Sequence, residues 1–276
     1  MPSVLVTGAS TGIGRATVLR LDAAGWQVFA GVRKQEDAAA LSEAGSERLT
    51  PLLLDVTDAG QVAEAAARVE AEAAGGLDGL VNNAGVAIPG PLETLAIEDF
   101  RRQIEVNLTG QVAVTQAMLP AVRAARGRIV FISSIGGRVA LPLTGAYHAA
   151  KFAIEAVGDV FRQELRPWGI SVSIVEPGSI DTPIWERGER TADEIGTPER
   201  EALYGKVVDR YRKVIRDTAE RGIAPEEAAK AIEHALGAGR PRARYLVGRE
   251  AKVAAAAKLL LPTRIFDRVV ARQMDL

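Results

Sequence analysis

The sequence predicts an α/β protein built on a doubly wound parallel sheet of about seven strands, with helices on both faces. Three observations carry that prediction. Short β-branched runs alternate with alanine-rich stretches of helical spacing through the first half of the chain, as in a parallel sheet crossed over by helices. The strand runs are continuously apolar rather than alternating, as expected where both sheet faces are covered. The first run leads straight into a glycine-rich turn and then a helix.

Taken in order, strands are expected at Ser3–Val6, Gln27–Val32, Arg48–Leu54, Gly79–Asn82, Gly127–Ile132, Ser171–Glu176 and Tyr245–Val247. Helices are expected between and after them, at Gly12–Ala24, Asp37–Ala44, Ala59–Ala73, Ile97–Ala124, Ala146–Glu164 and Pro225–Leu236. No linker, repeat or break in composition divides the 276 residues, so residues 1–276 are expected to form one domain. Residues 183–222 open on a charged, turn-rich stretch and are expected to form a substrate lid, and residues 249–276 a helical C-terminal extension.

Composition removes several function classes. A 47% hydrophobic chain can fill a large core, and a net charge of −1 gives no electrostatic reason to expect nucleic acid. With no cysteine there is no disulfide, thiolate ligand or cysteine nucleophile, and two histidines leave little for a metal site, so no metal is expected. The N-terminus enters Val4-Leu5-Val6 without a basic or long apolar segment, so no signal peptide is expected. No apolar run reaches the roughly 18 residues needed to span a bilayer. A cytoplasmic setting is the expectation.

Two patterns carry chemistry. In Thr7-Gly8-Ala9-Ser10-Thr11-Gly12-Ile13-Gly14 the glycines permit a tight turn and close backbone approach at a helix start. Free N–H groups and the helix dipole there attract an anion such as a pyrophosphate. Tyr147 and Lys151 lie four residues apart, one helical turn, so a phenol and an ammonium share a helix face. The ammonium is expected to favour the phenolate and to bring the tyrosine toward neutral pH, where it can donate and accept protons. Ser134 stands thirteen residues before the tyrosine.

With these patterns in place the chain resembles the short-chain dehydrogenase/reductase family in its single-domain, Rossmann-type form. The matching residues are Thr7-Gly8, Gly12 and Gly14, Asp55, Asn82-Asn83-Ala84-Gly85, Asn107, Ser134, Tyr147 with Lys151, and Pro177-Gly178 followed by Thr182. They cover roughly residues 2 to 183. Beyond that the likeness is weak, although Arg244-Tyr245-Leu246-Val247-Gly248 looks like the family's last strand. The overall resemblance leans toward the steroid- and retinol-dehydrogenase-like branch.

The resemblance implies a nicotinamide cofactor lined by Gly8, Ser10, Thr11, Gly12, Ile13 and Gly14, by Asp55 and Val56 near the adenine, and by Asn82, Asn83, Ala84 and Gly85. It adds Pro177, Gly178, backbone at Ile180, and the Thr182 hydroxyl. It makes Tyr147 the general acid/base, Lys151 its electrostatic partner and a contact of the nicotinamide ribose, and Ser134 the hydrogen-bond partner of the substrate oxygen, with Ser133 structural. Asn107 would hold a water that relays protons from Lys151. At the end of the second strand Val32 stands where an acidic residue would select NAD(H), and Arg33 and Lys34 follow. An arginine there can pair with a 2′-phosphate, so NADP(H) is expected over NAD(H). Thr11 departs from this, since NADP-preferring members often carry a basic residue at that position.

The substrate side is less specific. Leu203, Tyr204, Val207, Val208, Tyr211, Val214 and Ile215 recur at helical spacing. Such a stripe is expected mainly as core packing, with a small hydrophobic alcohol or ketone as substrate. Trp185 could line the substrate or anchor the lid. His148 points about 100° away from Tyr147 on a helix and is expected to pack rather than catalyse. The apolar tail Leu259-Leu260-Leu261, Ile265, Phe266, Val269, Val270 and Met274 could cover the pocket, pair with another subunit or touch a membrane, with packing expected from its mixed charge. The family resemblance implies a homo-dimer or homo-tetramer through the long helices. The alternatives are a catalytically silent NADP-binding regulatory protein and an NAD-preferring alcohol dehydrogenase. A sugar-nucleotide epimerase would need a different glycine spacing and a larger second domain.

Overall fold

A computed structural model describes residues 1–182, 184, 198–220 and 222–276. Its centre is a seven-stranded parallel sheet of β1 (Ser3–Val6), β2 (Gln27–Val32), β3 (Leu49–Leu53), β4 (Gly79–Asn82), β5 (Arg128–Ile132), β6 (Ser171–Pro177) and β7 (Arg244–Val247), in the order β3-β2-β1-β4-β5-β6-β7. The strand order reverses between β1 and β4, and the crevice at such a switch point is where this architecture binds ligands. Pro51 lies within β3, which the order places at an edge, where a missing N–H is tolerated.

The helices are α1 (Gly12–Ala23), α2 (Gln35–Ala44), α3 (Ala59–Glu72), α4 (Ile97–Ile104), α5 (Gly110–Ala125), α6 (Gly145–Glu164), α7 (Pro198–Glu220), α8 (Pro225–Gly237), α9 (Arg249–Leu260) and α10 (Thr263–Met274). Neighbouring strand residues go to opposite cores. Val4, Val6, Val28, Ala30, Val130 and Val175 face Val18 and Leu21 of α1, Leu41 of α2 and Ile232 of α8. Leu5, Phe29, Leu80, Ile129 and Phe131 face Val69 of α3, Met118 of α5 and Ile154 of α6. This two-sided burial is the physical reason for continuous apolar strands.

The expected element bounds hold to within about two residues, with one change of kind. The stretch expected as one helix from Ile97 is α4, a π-helical turn at Glu105–Thr109, and then α5. Single π turns inside α-helices commonly mark functional sites, and this one carries Asn107.

The stripe on α7 is core packing where its side chains are described: Val207, Val208, Tyr211 and Val214 meet Leu143, Val270 and Met274 in a small separate cluster. Leu203 is exposed, and the Tyr204 hydroxyl bonds Glu93. The side chain of Ile215, together with Pro183 and Trp185, lies outside the described residues. In the tail, Phe266 and Met274 are buried while Leu259 and Leu260 stay exposed.

Candidate active site at the strand switch point

A crevice of about 290 Å³ opens at the carboxyl ends of β1, β2 and β4. Its walls are Gly8, Ser10, Thr11, Gly12 and Ile13 from the glycine turn, Val32 and Arg33 after β2, Leu54, Asp55 and Val56 after β3, Asn83, Ala84, Gly85, Val86, Ala87 and Ile88 after β4, and Arg102, Val106, Thr182 and Ile184. The glycine turn fits a dinucleotide. Gly8 and Gly12 take φ of +66° and +53°, backbone that favours glycine. A Cβ on Gly12 would come within 2.8 Å of Thr182 Cγ2, and one on Gly8 within 2.8 Å of the Ala84 Cα. Thr11, the N-cap of α1, makes no side-chain cap bond, so it closes none of the first N–H groups of that helix.

The crevice walls are tied to each other by polar side chains. The Thr7 hydroxyl accepts from the backbone N–H groups of Asn83 and Ala84, both at 3.0 Å, and Asn83 Nδ2 donates to the carbonyls of Thr7 (2.9 Å) and Gly8 (3.0 Å). Asp55 Oδ1 accepts from the backbone N–H and hydroxyl of Thr57. Arg33 is exposed and, among the described residues, has no ion pair. Gln103, Asn107 and Gln111, at spacings of four, form an amide ladder against residues 84–88. Gln103 accepts from the Ile88 N–H and donates to the Val86 carbonyl, both at 2.8 Å; Gln111 donates to the Ala84 carbonyl at 2.9 Å.

Besides Tyr147 and Lys151, six expected cofactor residues lie off this crevice wall. Asn82 is fully buried and donates to the Thr115 hydroxyl at 2.8 Å, so it joins β4 to α5 rather than lining the crevice. Lys34 is away from the crevice wall and pairs with Glu36 at 2.8 Å in solvent. Gly14 faces inward: a Cβ there would meet the Gly8 carbonyl oxygen at 2.2 Å, so its service is close packing of α1 on the turn. Pro177, Gly178 and Ile180 lie outside the crevice wall; the Pro177 carbonyl accepts from Ser134, a Cβ on Gly178 would meet Ala251, and the Ile180 side chain is in the core. The wall residues that sequence reasoning missed are Leu54, Val86, Ala87, Ile88, Arg102, Val106 and Ile184. Val106 carried a signal, since it adjoins Asn107, whereas Arg102 carried none.

The catalytic candidates gather one strand over, at the end of β5. Lys151 is buried, and its Nζ donates to the Ile132 carbonyl at 2.7 Å, 5.7 Å from the centre of the Tyr147 ring. Tyr147 is buried beside it and hydrogen-bonds Ser134. Ser134 caps the short turn that follows β5, accepting from the Gly136 N–H at 3.0 Å. Ser133 is buried behind it, beside Glu155. Asn107 is fully buried, its side chain bonded in both directions to the Val86 backbone at 2.9 Å. These two bonds use one N–H and one lone pair of the amide, leaving one of each. His148 packs as expected, with Nδ1 on the Gly136 carbonyl at 2.8 Å and Nε2 on Thr144 at 2.9 Å.

The electrostatics correct one expectation. Burial pushes the Tyr147 phenol up, and the bond with Ser134 only opposes this, so the protein groups keep it protonated at neutral pH. Burial likewise lowers Lys151 to about 8, with Glu155 pulling the other way. The lysine is spent on a backbone carbonyl and is desolvated, so one-turn spacing alone does not make the tyrosine acidic.

Fold and site together define a nucleotide-binding oxidoreductase with its crevice at a parallel-sheet switch point. The chain belongs to the short chain dehydrogenase family, whose model matches residues 2–193, and it falls in the retinol-dehydrogenase-like branch. It is 40% identical to "Retinol dehydrogenase 5" of Mus musculus, over 97% of this chain and 87% of the relative. It is 35% identical to "NADPH-dependent 3-dehydrocapnine reductase" of Ornithobacterium rhinotracheale, over 98% and 96%. A crystal structure of a short chain dehydrogenase from Burkholderia cenocepacia in complex with NADP superposes with a TM-score of 0.74 at 30% identity, covering 97% of this chain and 96% of that one. The protein is an NAD(P)-dependent oxidoreductase. Among the described residues no helix is long and apolar enough to cross a membrane, and no metal-ligating cluster occurs.

The packing of Gly14 gives a direct test of the glycine turn. Gly14→Ala is expected to destabilise the fold by about 1–3 kcal/mol and to weaken binding of the nicotinamide cofactor, read by urea unfolding and fluorescence titration. Gly237→Ala, whose Cβ would meet nothing within 4 Å, is the control; it is expected to be neutral or stabilising by up to about 1 kcal/mol.

Proposed function

We propose that this protein transfers a hydride between NADP(H) and a hydrophobic alcohol or ketone, with Tyr147 as the general acid/base. The observation that carries this reading is the group at the end of β5, half-buried Ser134 with buried Tyr147 and Lys151, one strand from a crevice shaped for a dinucleotide. When bound, the nicotinamide supplies or receives the hydride and, oxidised, carries positive charge. Tyr147, kept protonated by burial, donates its proton to the carbonyl oxygen in reduction; oxidation needs the phenolate and so is favoured as pH rises. Ser134 stabilises charge developing on that oxygen. Lys151 holds positive charge beside the phenol. Asn107 fixes the Val86 backbone on the crevice wall.

Arg33 supports NADP(H): it is exposed, lines the crevice and, among the described residues, is unpaired. The relative named as NADPH-dependent and the neighbour bound to NADP lend the same support. Arg33→Ala is expected to move the ratio of kcat/KM for NADPH over NADH by ten- to a hundredfold toward NADH. Thr11 keeps an NAD-preferring alcohol dehydrogenase as the second reading, and an unmoved ratio would select it.

We read residues 1–276 as one domain with a lid at residues 183–222, in a cytoplasmic homo-dimer or homo-tetramer. Phe152 and Val160, both exposed on α6, support assembly through that helix. The activity test follows loss of NADPH absorbance with a panel of apolar ketones, and gain of it with retinol. Absence of turnover in both directions would return the protein to the silent regulatory reading.

A further inference from the structure

Behind the catalytic lysine lies a closed ionic group that the reading above does not use. Glu155 stands one turn beyond Lys151 on α6 and is buried, and Glu176 of β6 is fully buried. Arg244 of β7 reaches both, with Nε 3.1 Å from Glu155 Oε2 and 3.2 Å from Glu176 Oε1, while its other nitrogen meets Asp159 at 2.7 Å. Arg138, after the turn that Ser134 caps, meets Glu176 at 2.7 Å. The turn closes over the group: a Cβ on Gly137 would fall 2.6 Å from Ser133 Oγ, 2.9 Å from the Lys151 carbonyl oxygen and 3.0 Å from Glu155 Cγ.

A purely structural cluster would be costly here. Glu176 Oε2 is buried with no hydrogen-bond partner among the described residues, and apolar side chains commonly replace buried ion pairs without loss of stability. Counted as charges, Glu155, Glu176 and Asp159 face Arg138, Arg244 and one further cation, Lys151; Arg162 adds a fourth, at the exposed end beside Asp159.

We infer that Glu155 is a positioning residue acting through Lys151: its buried carboxylate, held by Arg244, keeps the lysine ammonium charged in a site that otherwise strips it of solvent. This rests on Lys151 having the role proposed above. The groups facing Lys151 are Tyr147 and Glu155 on its own helix and the Ile132 carbonyl of β5. Those facing Glu155 are Arg244 from β7, Glu176 from β6, and Ser133 after β5. Burial raises Glu155 while Ser133 and Arg244 pull it down, so the carboxylate loses its hold on the lysine as pH falls.

The test reads the lysine directly. Protein labelled with 15N-lysine is titrated, and the Lys151 Nζ signal is assigned by its loss in Lys151→Met. In Glu155→Gln the midpoint of Lys151 is expected to fall by about one pH unit, and in Glu155→Asp by much less. Glu155→Met, apolar and of similar length, is expected to give the same fall should the amide disturb folding. The exposed-edge variant Asp159→Asn is expected to leave the midpoint within about 0.3 units. An unmoved midpoint in Glu155→Gln or Glu155→Met, or an equal fall in Asp159→Asn, would overturn the inference. The NMR readout needs no turnover, so it separates this inference from the activity. If the proposed function fails, no variant turns over; if only the inference fails, the wild type reduces ketones and the alkaline limb of its kcat/KM profile is unchanged in Glu155→Gln.

Discussion

Tyr147→Phe is expected to lower kcat for ketone reduction by about 10²–10⁴-fold, the range a positioned acid contributes, while leaving the melting temperature and NADPH affinity near those of the wild type. The ring keeps its place: Tyr147 is buried between Ser134 and the edge of the His148 ring. Only the hydroxyl is removed, with its bond to Ser134. Because burial keeps the phenol protonated, reduction in the wild type is expected to hold level through neutral pH. Alcohol oxidation is expected to climb with pH as the phenolate forms, and that climb is expected to vanish in the variant. Stopped absorbance assays at 340 nm in both directions check this. Turnover surviving in Tyr147→Phe would remove the tyrosine from the mechanism, and a pH-independent oxidation rate would remove the phenolate.

The parts of the site legible in the sequence are those made by local geometry. The strand–turn–helix at Gly8–Gly14 follows from apolar run, glycine spacing and helix start, and the structure places it as read. The Tyr147–Lys151 spacing put both groups on one turn of α6. What sequence could not supply was the third dimension of each environment. Asn82 and Asn83 are neighbours of one type, yet strand alternation sends Asn82 into the core against Thr115 and leaves Asn83 on the crevice. Asn107 was legible as a break in a helix, but its partner, the Val86 backbone, lies twenty-one residues away and was not. The sign of the Tyr147 shift failed for the same reason. Spacing reports the nearest charge, whereas the pKa also depends on desolvation, which comes from residues distant in sequence. Gln103 and Gln111 look like surface polar residues in a helix; only the close approach of residues 84–88 makes them buried donors.

Lys151→Met is expected to abolish turnover while making the protein more stable at pH 7. The lysine is held at about 8 in the folded chain against 10.5 for an unperturbed lysine. That difference corresponds to about 3 kcal/mol of destabilisation wherever both states would be protonated. The sign follows from proton counting: between these two values the unfolded chain binds more protons than the folded one, so stability rises with pH across that window. Below about pH 8 the full penalty applies; above about 10.5 it is gone. Methionine fills the same volume without a charge to desolvate, but leaves the Ile132 carbonyl without its donor, which returns about 1–2 kcal/mol of the gain. The net expectation is a variant about 1–2 kcal/mol more stable at pH 7, with the advantage shrinking and reversing by pH 10.5 as the wild type sheds its penalty and keeps its hydrogen bond. Urea unfolding of both proteins at pH 7, 8.5 and 10 measures it. A variant less stable at every pH would mean that Lys151 is held for folding; a crossover would mean that the fold tolerates a strained cation at this position for the sake of the chemistry beside Tyr147.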